Sequence, residues 1–337
     1  MPFFRYFAGV FFASPSGGGA GSASRWIRAR AGRPSVAVMS DLEVRDLTRV
    51  FASGGTARRA VDGVSFTATS GLLTGFVGGN GAGKTTTMRM IMGVLAITGG
   101  EVLFDGAPVT RADRREFGYM PEERGLYPKQ PVLDQLVYLA RLRGIAPAAA
   151  RREVLEHLDR LGLADRAKEH VEKLSLGNQQ RVQIVAAIMG QPKALVLDEP
   201  FSGLDPAAVD AMADLLREHT RRGVPVLFSS HQLDLVERLC ERLVILGGGR
   251  VLANGTPDEL RSSGVTRHRL VLSGDAGFVR GVPGVRAVDV DGAVALLELD
   301  DDAAASRLLS AALERGAVHE FFPVRPTLAQ IYREVTA

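Results

Sequence analysis

The segment Gly78-Gly79-Asn80-Gly81-Ala82-Gly83-Lys84-Thr85 constrains this chain more than any other. It satisfies G-x-x-x-x-G-K-[ST], with a short apolar run, Leu72–Val77, before it and a helix-like stretch, Gly83–Leu95, after it. Glycines let the backbone turn its N–H groups inward, and a helix N-terminus follows, so the loop suits an anion. Gly78, Asn80, Gly81, Ala82, Gly83 and Thr86 belong to the expected phosphate cradle. Lys84 supplies a point charge for β- and γ-phosphates, and the Thr85 hydroxyl suits Mg2+.

A second feature sharpens the first. The apolar run Ala194–Leu197 delivers two adjacent carboxylates, Asp198 and Glu199, at the C-terminal end of an expected strand, where open α/β sheets place ligands. Asp198 suits the metal, and Glu199 suits polarising an attacking water. Two surface carboxylates would be commonplace alone; beside the glycine loop they imply a phosphate-loop NTPase core. In Leu174-Ser175-Leu176-Gly177-Asn178-Gln179-Gln180-Arg181 a serine hydroxyl and a glycine backbone precede another expected helix, Asn178–Met189. That makes a second phosphate-binding helix N-terminus. One nucleotide does not readily need two from one chain, so this surface is expected to close on the nucleotide of a second protomer.

The remaining texture reads as strand–helix alternation around a helical insert, hence an α/β core with a parallel sheet. Strand-like runs are expected at Leu42–Leu47 and Ala60–Thr67, with a turn at Gly54-Gly55, and at Glu101–Phe104, Val226–Ser229, Arg242–Leu246 and Val251–Ala253. Amphipathic helices are expected at Val132–Arg143, Ala148–Leu161, Ala207–Thr220 and Leu233–Cys240. After a composition shift at Ser262–Gly264 come strands at His268–Ser273, Val285–Val290, Ala293–Leu299 and Val318–Val324, and helices at Ala303–Arg315 and Leu328–Val335. The expected domains are a phosphate-loop NTPase domain at 39–261, with its helical subdomain at about 119–189, and a small α+β accessory domain at 265–337.

With 337 residues, roughly two domains are expected. Five of the 41 basic residues lie in residues 1–38, which hold no Asp or Glu; the net +3 of the chain is therefore −2 for 39–337, and nothing argues for nucleic acid. Arg5 ahead of Phe7–Ala13 resembles a short signal peptide, but the Gly/Ser-rich stretch that follows fits a flexible arm better. Residues 1–38 are read as a disordered basic extension or as preceding the true start at Met39. The single cysteine, Cys240, excludes an internal disulfide and fits a reducing compartment.

On these residues the chain is similar, over about 41–260, to the ATP-binding cassette (ABC) superfamily and specifically its transporter ATPase subunits. Leu174–Asn178 resembles the signature motif, LSGGQ in the family. Ser202-Gly203-Leu204-Asp205 resembles the D-loop, and His231 resembles the switch histidine. Phe51 sits where the family stacks an aromatic ring on adenine. The resemblance implies a head-to-tail homodimer, or a paired ATPase subunit, with two ATP molecules sandwiched between the phosphate loop of one subunit and the signature motif of the other. Ser175, Gly177 and Asp205 would thereby join the ATP site, and His231 would sense the γ-phosphate. It also implies a separate transmembrane permease contacted by the helical subdomain, and a cytoplasmic location on the inner face of the cell membrane.

There are departures from the family pattern. Glu122 stands where the Q-loop glutamine is expected; a carboxylate can still ligate Mg2+ but adds negative charge near the γ-phosphate. Leu176 and Asn178 replace the usual Gly and Gln of the signature. Residues Pro121–Pro128, together with this signature and a C-terminal end containing Pro326–Ile331, resemble the subgroup linked to sodium or drug efflux. The alternatives are a permease-free ABC ATPase of repair or translation and a non-hydrolysing scaffold. The interval from Thr85 to Ser175 holds no sustained heptads, only one cassette is present, and Glu199 is intact; each counts against them.

Overall fold

A computed structural model describes residues 40–53, 56–123, 125–263, 266–324 and 326–336. The expected extension at 1–38, the Met39 start and the Gly54-Gly55 turn lie outside the described residues. The chain divides into two compact units after Leu252, earlier than the composition shift at 262–264.

Three strands open the first unit: β1 (Leu42–Ser53), β2 (Thr56–Ala68) and β3 (Leu73–Gly78). β1 and β2 pair antiparallel and, with β4 (Gly99–Phe104) and β5 (Ala107–Pro108), form a sheet ordered β2-β1-β4-β5. The hairpin is longer than the apolar alternation suggests. Its outer pairs include Val50 with Arg59 and Phe51 with Arg58; none of these side chains is buried, which leaves no one-sided hydrophobic period to read.

β3 belongs to a second sheet, with β6 (Phe117–Met120), β7 (Ala194–Leu197), β8 (Val226–Ser230), β9 (Arg242–Gly247) and β10 (Arg250–Gly255), in the order β10-β9-β3-β8-β7-β6. Neighbours from β9 through β6 run parallel. Every residue of β3, β7 and β8 is buried, as expected where both faces of a parallel sheet are covered.

The helices of this unit are α1 (Lys84–Ile91), α2 (Arg111–Arg115), α3 (Val132–Leu142), α4 (Pro147–Arg160), α5 (Leu176–Ile188), α6 (Pro206–Arg221) and α7 (Leu233–Leu239). α1 is shorter than the expected Gly83–Leu95, because the chain leaves the helix through Gly93 at φ 68°. α3, α4 and α5 pack on one another. Ala150, Val154 and Leu158, four residues apart, form the buried stripe of α4. Each buried leucine here, such as Leu136 or Leu158, contributes about 1.5–3 kcal/mol.

The second unit contains α8 (Pro257–Ser263), β11 (Arg267–Leu272), β12 (Val285–Asp291), β13 (Val294–Leu299), α9 (Asp302–Leu313), β14 (Val318–Val324) and α10 (Leu328–Thr336). Its antiparallel sheet is ordered β12-β13-β11-β14. Leu270, Leu272, Leu297 and Leu308 centre its own core. α8 packs against α10, so it groups with this unit. Among the described residues no helix is long and apolar enough to cross a membrane.

Candidate active site

β3 ends at Gly78, and the loop 79–83 carries the chain into α1. Gly83 caps that helix at φ 104°, and a Cβ there would lie 2.9 Å from the Ala60 carbonyl oxygen; conformation and space both require glycine. The buried Lys84 ammonium donates to the Gly78 carbonyl at 2.6 Å. Loop and lysine line an open cavity of about 1060 Å3.

The fold brings Phe51, Asn80, Gly81, Ala82, Gly83, Lys84, Thr85, Thr86, Glu122, Asp198, Glu199 and His231 to this cavity. Ser175, Gly177 and Asp205 are not among its lining residues; their neighbours Leu176, Gln180, Ser202 and Gly203 are. Ser175 is the exposed N-cap of α5, its hydroxyl accepting from the Asn178 N–H at 3.3 Å. Asp205 caps α6 by accepting from Ala208 N–H at 2.8 Å, and it pairs with Arg181 at 3.0 Å. Phe51 is 39% exposed, with the Arg49 guanidinium 4.6 Å from its ring centroid.

Asp198 is fully buried at the end of β7. Its Oδ1 accepts from the Ser229 hydroxyl at 2.5 Å, whereas its buried Oδ2 has no hydrogen-bond partner. Burial holds its carboxyl above the ordinary 3.8; Glu122 adds to the rise, and the Ser229 and Thr85 hydroxyls and Lys84 oppose it. Thr85 donates to Glu122 Oε2 at 3.3 Å. One orphaned buried carboxylate oxygen, a hydroxyl and an exposed carboxylate are hard oxygen donors that fit Mg2+ completed by phosphate and water.

Glu199 adopts φ 52°, a left-handed conformation unusual for a non-glycine residue. Its N–H donates to the Ser229 hydroxyl at 2.8 Å, and its carbonyl accepts from the Gln180 side chain at 2.7 Å. Its carboxylate meets the imidazole Nδ1 of His231 at 3.0 Å. The motifs did not single out Ser229 or Gln180 as functional. Their signal was faint: a strand that is apolar up to Phe228 and then ends in two hydroxyl residues, and a glutamine inside the signature helix. Gln135 was likewise missed. Its buried amide holds the loop that follows Glu122, accepting from the Tyr127 N–H at 2.6 Å and donating to the Tyr127 carbonyl at 3.2 Å.

A parallel α/β sheet with a phosphate-type loop at the end of β3, and paired carboxylates at the end of β7, defines a P-loop nucleotide-binding protein. Sequence and structure comparisons place it more narrowly. Residues 61–202 match the family model for ABC transporter, and 255–336 match that for the ATP-binding protein DrrA1-3-like, C-terminal domain. The chain is 38% identical over 277 residues to an uncharacterized ABC transporter ATP-binding protein, YhaQ, of Bacillus subtilis, covering 82% of this chain and 93% of that one. It is 33% identical over 219 residues to the linearmycin resistance ATP-binding protein LnrL of the same organism, covering 64% and 70%. It is also 33% identical over 251 residues to the methionine import ATP-binding protein MetN of Caulobacter vibrioides, covering 72% and 75%. A solved ATP-binding subunit of an ABC transporter superposes with a TM-score of 0.59 at 35% identity, covering 66% of this chain and 92% of that one. The chain belongs to the ABC transporter ATP-binding proteins, a family of ATPases whose members hydrolyse ATP.

Proposed function

We propose that this ATP-binding subunit powers an efflux system for a small molecule or ion, working as a head-to-tail dimer on a separate permease at the cytoplasmic face of the membrane. The observation that carries the dimer is the position of Ser175: it caps the 13-residue helix α5, is exposed, and stands outside the cavity of its own chain. An exposed helix N-terminus with a serine cap suits a phosphate presented by another protomer. The efflux direction is supported by the DrrA-like C-terminal match and by the resistance protein LnrL; MetN shows that related cassettes also serve import.

In this reading the loop amides and Lys84 bind the phosphates of ATP, and Phe51 stacks on the base. Thr85, Asp198 Oδ2 and Glu122 are the groups that would hold Mg2+. When bound, the metal neutralises charge on the β- and γ-phosphates. Glu199 orients water for in-line attack and takes its proton, while His231 steadies the Glu199 carboxylate and reaches the γ-phosphate. Ser175 and Gly177 would complete the partner's site, with Asp205 beside them.

The test is a pull-down from solubilised membranes using Glu199→Gln with Mg-ATP, which should trap ATP and a closed dimer. Recovery of a multi-span membrane protein supports the transporter reading. Recovery of soluble partners alone, with the chain absent from membranes, overturns it.

A further inference from the structure

We propose that Ser229 is a positioning residue for hydrolysis: one buried hydroxyl sets both the backbone of Glu199 and the free oxygen of Asp198. The proposal rests on the roles given above to those two carboxylates.

The geometry follows from the strand register. β7 and β8 pair Leu197 with Phe228, so the next residues, Asp198 and Ser229, lie side by side. Ser229 is completely buried. A hydroxyl has one proton and two lone pairs. Here the proton goes to Asp198 Oδ1 at 2.5 Å and a lone pair accepts the Glu199 N–H at 2.8 Å. Neither bond can reverse, because an ionised carboxylate only accepts and an amide N–H only donates.

Two consequences reach the chemistry. First, Asp198 Oδ1 is used, so Oδ2 is the oxygen left for a metal. Second, Glu199 is held at φ 52°, a strained conformation that persists only where its surroundings enforce it. Ser229 holds its N–H side, and Gln180 holds its carbonyl side at 2.7 Å. His231, two residues beyond Ser229, meets the carboxylate itself. The end of β8 therefore aims Glu199 through both backbone and side chain.

The experiment compares the full chain with Ser229→Ala, which removes the hydroxyl, and Ser229→Thr, which keeps it on a strand-favouring residue. In Ser229→Ala, kcat should fall roughly ten- to a hundredfold, the range for one lost hydrogen bond to a charged group. The Mg2+ concentration for half-maximal rate should rise, while KM for ATP and metal-free ATP binding stay unchanged. In the nucleotide-free protein, amide hydrogen exchange at Glu199 should quicken. Ser229→Thr should restore each value. The proposal is overturned if Ser229→Ala keeps wild-type kcat and exchange. It is equally overturned if both variants lose activity in step with a lowered melting temperature, which marks a merely structural role. A wild-type chain that neither binds nor hydrolyses ATP overturns the hydrolytic reading itself.

Discussion

The Nδ1 atom of His231 lies 3.0 Å from Oε2 of Glu199, joining two residues 32 positions apart. The His231 side chain is 57% exposed and that of Glu199 only 13%. A contact so exposed on the histidine side adds little to stability. His231→Ala should therefore leave the melting temperature unchanged while lowering kcat. Glu199→Gln should lower kcat about 10²–10⁴-fold, the usual range for a lost general base, with ATP binding retained. Hydrolysis assays alongside thermal melts check both; a large fall in stability for His231→Ala would make the contact structural.

Asp198 supplies a test in the opposite direction. Its folded pKa is raised, chiefly by burial, above 3.8. Below that value the carboxyl is protonated in folded and unfolded chains alike, and the shift costs nothing. As pH rises toward the folded pKa the unfolded chain ionises first, so stability falls, and the full penalty persists at neutral pH. Asp198→Asn should thus melt higher than wild type at pH 7 without metal, with the gain vanishing in acid, while Mg2+-dependent hydrolysis is lost.

Glu122 donates nothing and accepts from Thr85, so its negative charge faces the same cavity as Asp198. Removing it as Glu122→Gln should tighten metal-free ATP binding by up to about tenfold, on the scale of one charge interaction at a protein surface. Titration calorimetry in EDTA checks this; an unchanged affinity would place the carboxylate away from the phosphates.

His219 is buried and His157 partly buried, and both resist protonation. His157 and His219 both have pKa values lowered from 6.5, first by burial, with nearby arginines adding to it. Stability should be full above 6.5 and fall as pH drops below it through the lowered folded values, because the unfolded chain takes up protons that the folded chain refuses. Melting curves from pH 7.5 to 5 should show this slope, and His219→Gln should flatten it.

Asp205 separates a cap from a charge. Asp205→Ala removes the bond to Ala208 N–H and should cost about 1 kcal/mol, whereas Asp205→Asn keeps a good cap. If the melting temperature falls only for alanine but hydrolysis falls for both, the charge acts at the nucleotide.

The parts of the molecule that were legible in the sequence are those with a strict local rule. The loop 78–85 demands glycine at left-handed φ, and β7 demands an unbroken apolar run before its two carboxylates. In the second unit β11, β13 and α9 also follow their periodicity, since Leu270 and Leu272, Ala295 and Leu297, and Ala304, Leu308 and Ala312 bury one face of each; α8 was not expected. The outer half of the β1–β2 hairpin was not legible, because Val50, Phe51, Arg58 and Arg59 bury no face and so carry no apolar period.

The sequence by itself determined which groups the site contains and roughly where the elements that bear them begin. Only the tertiary structure decided what those groups do to one another. Parallel register set Ser229 beside Asp198, a distant helix brought Gln180 to the Glu199 carbonyl, and packing left Ser175 outside the cavity. These relationships join residues far apart in the chain through sheet order and burial, which no local pattern of residue types encodes.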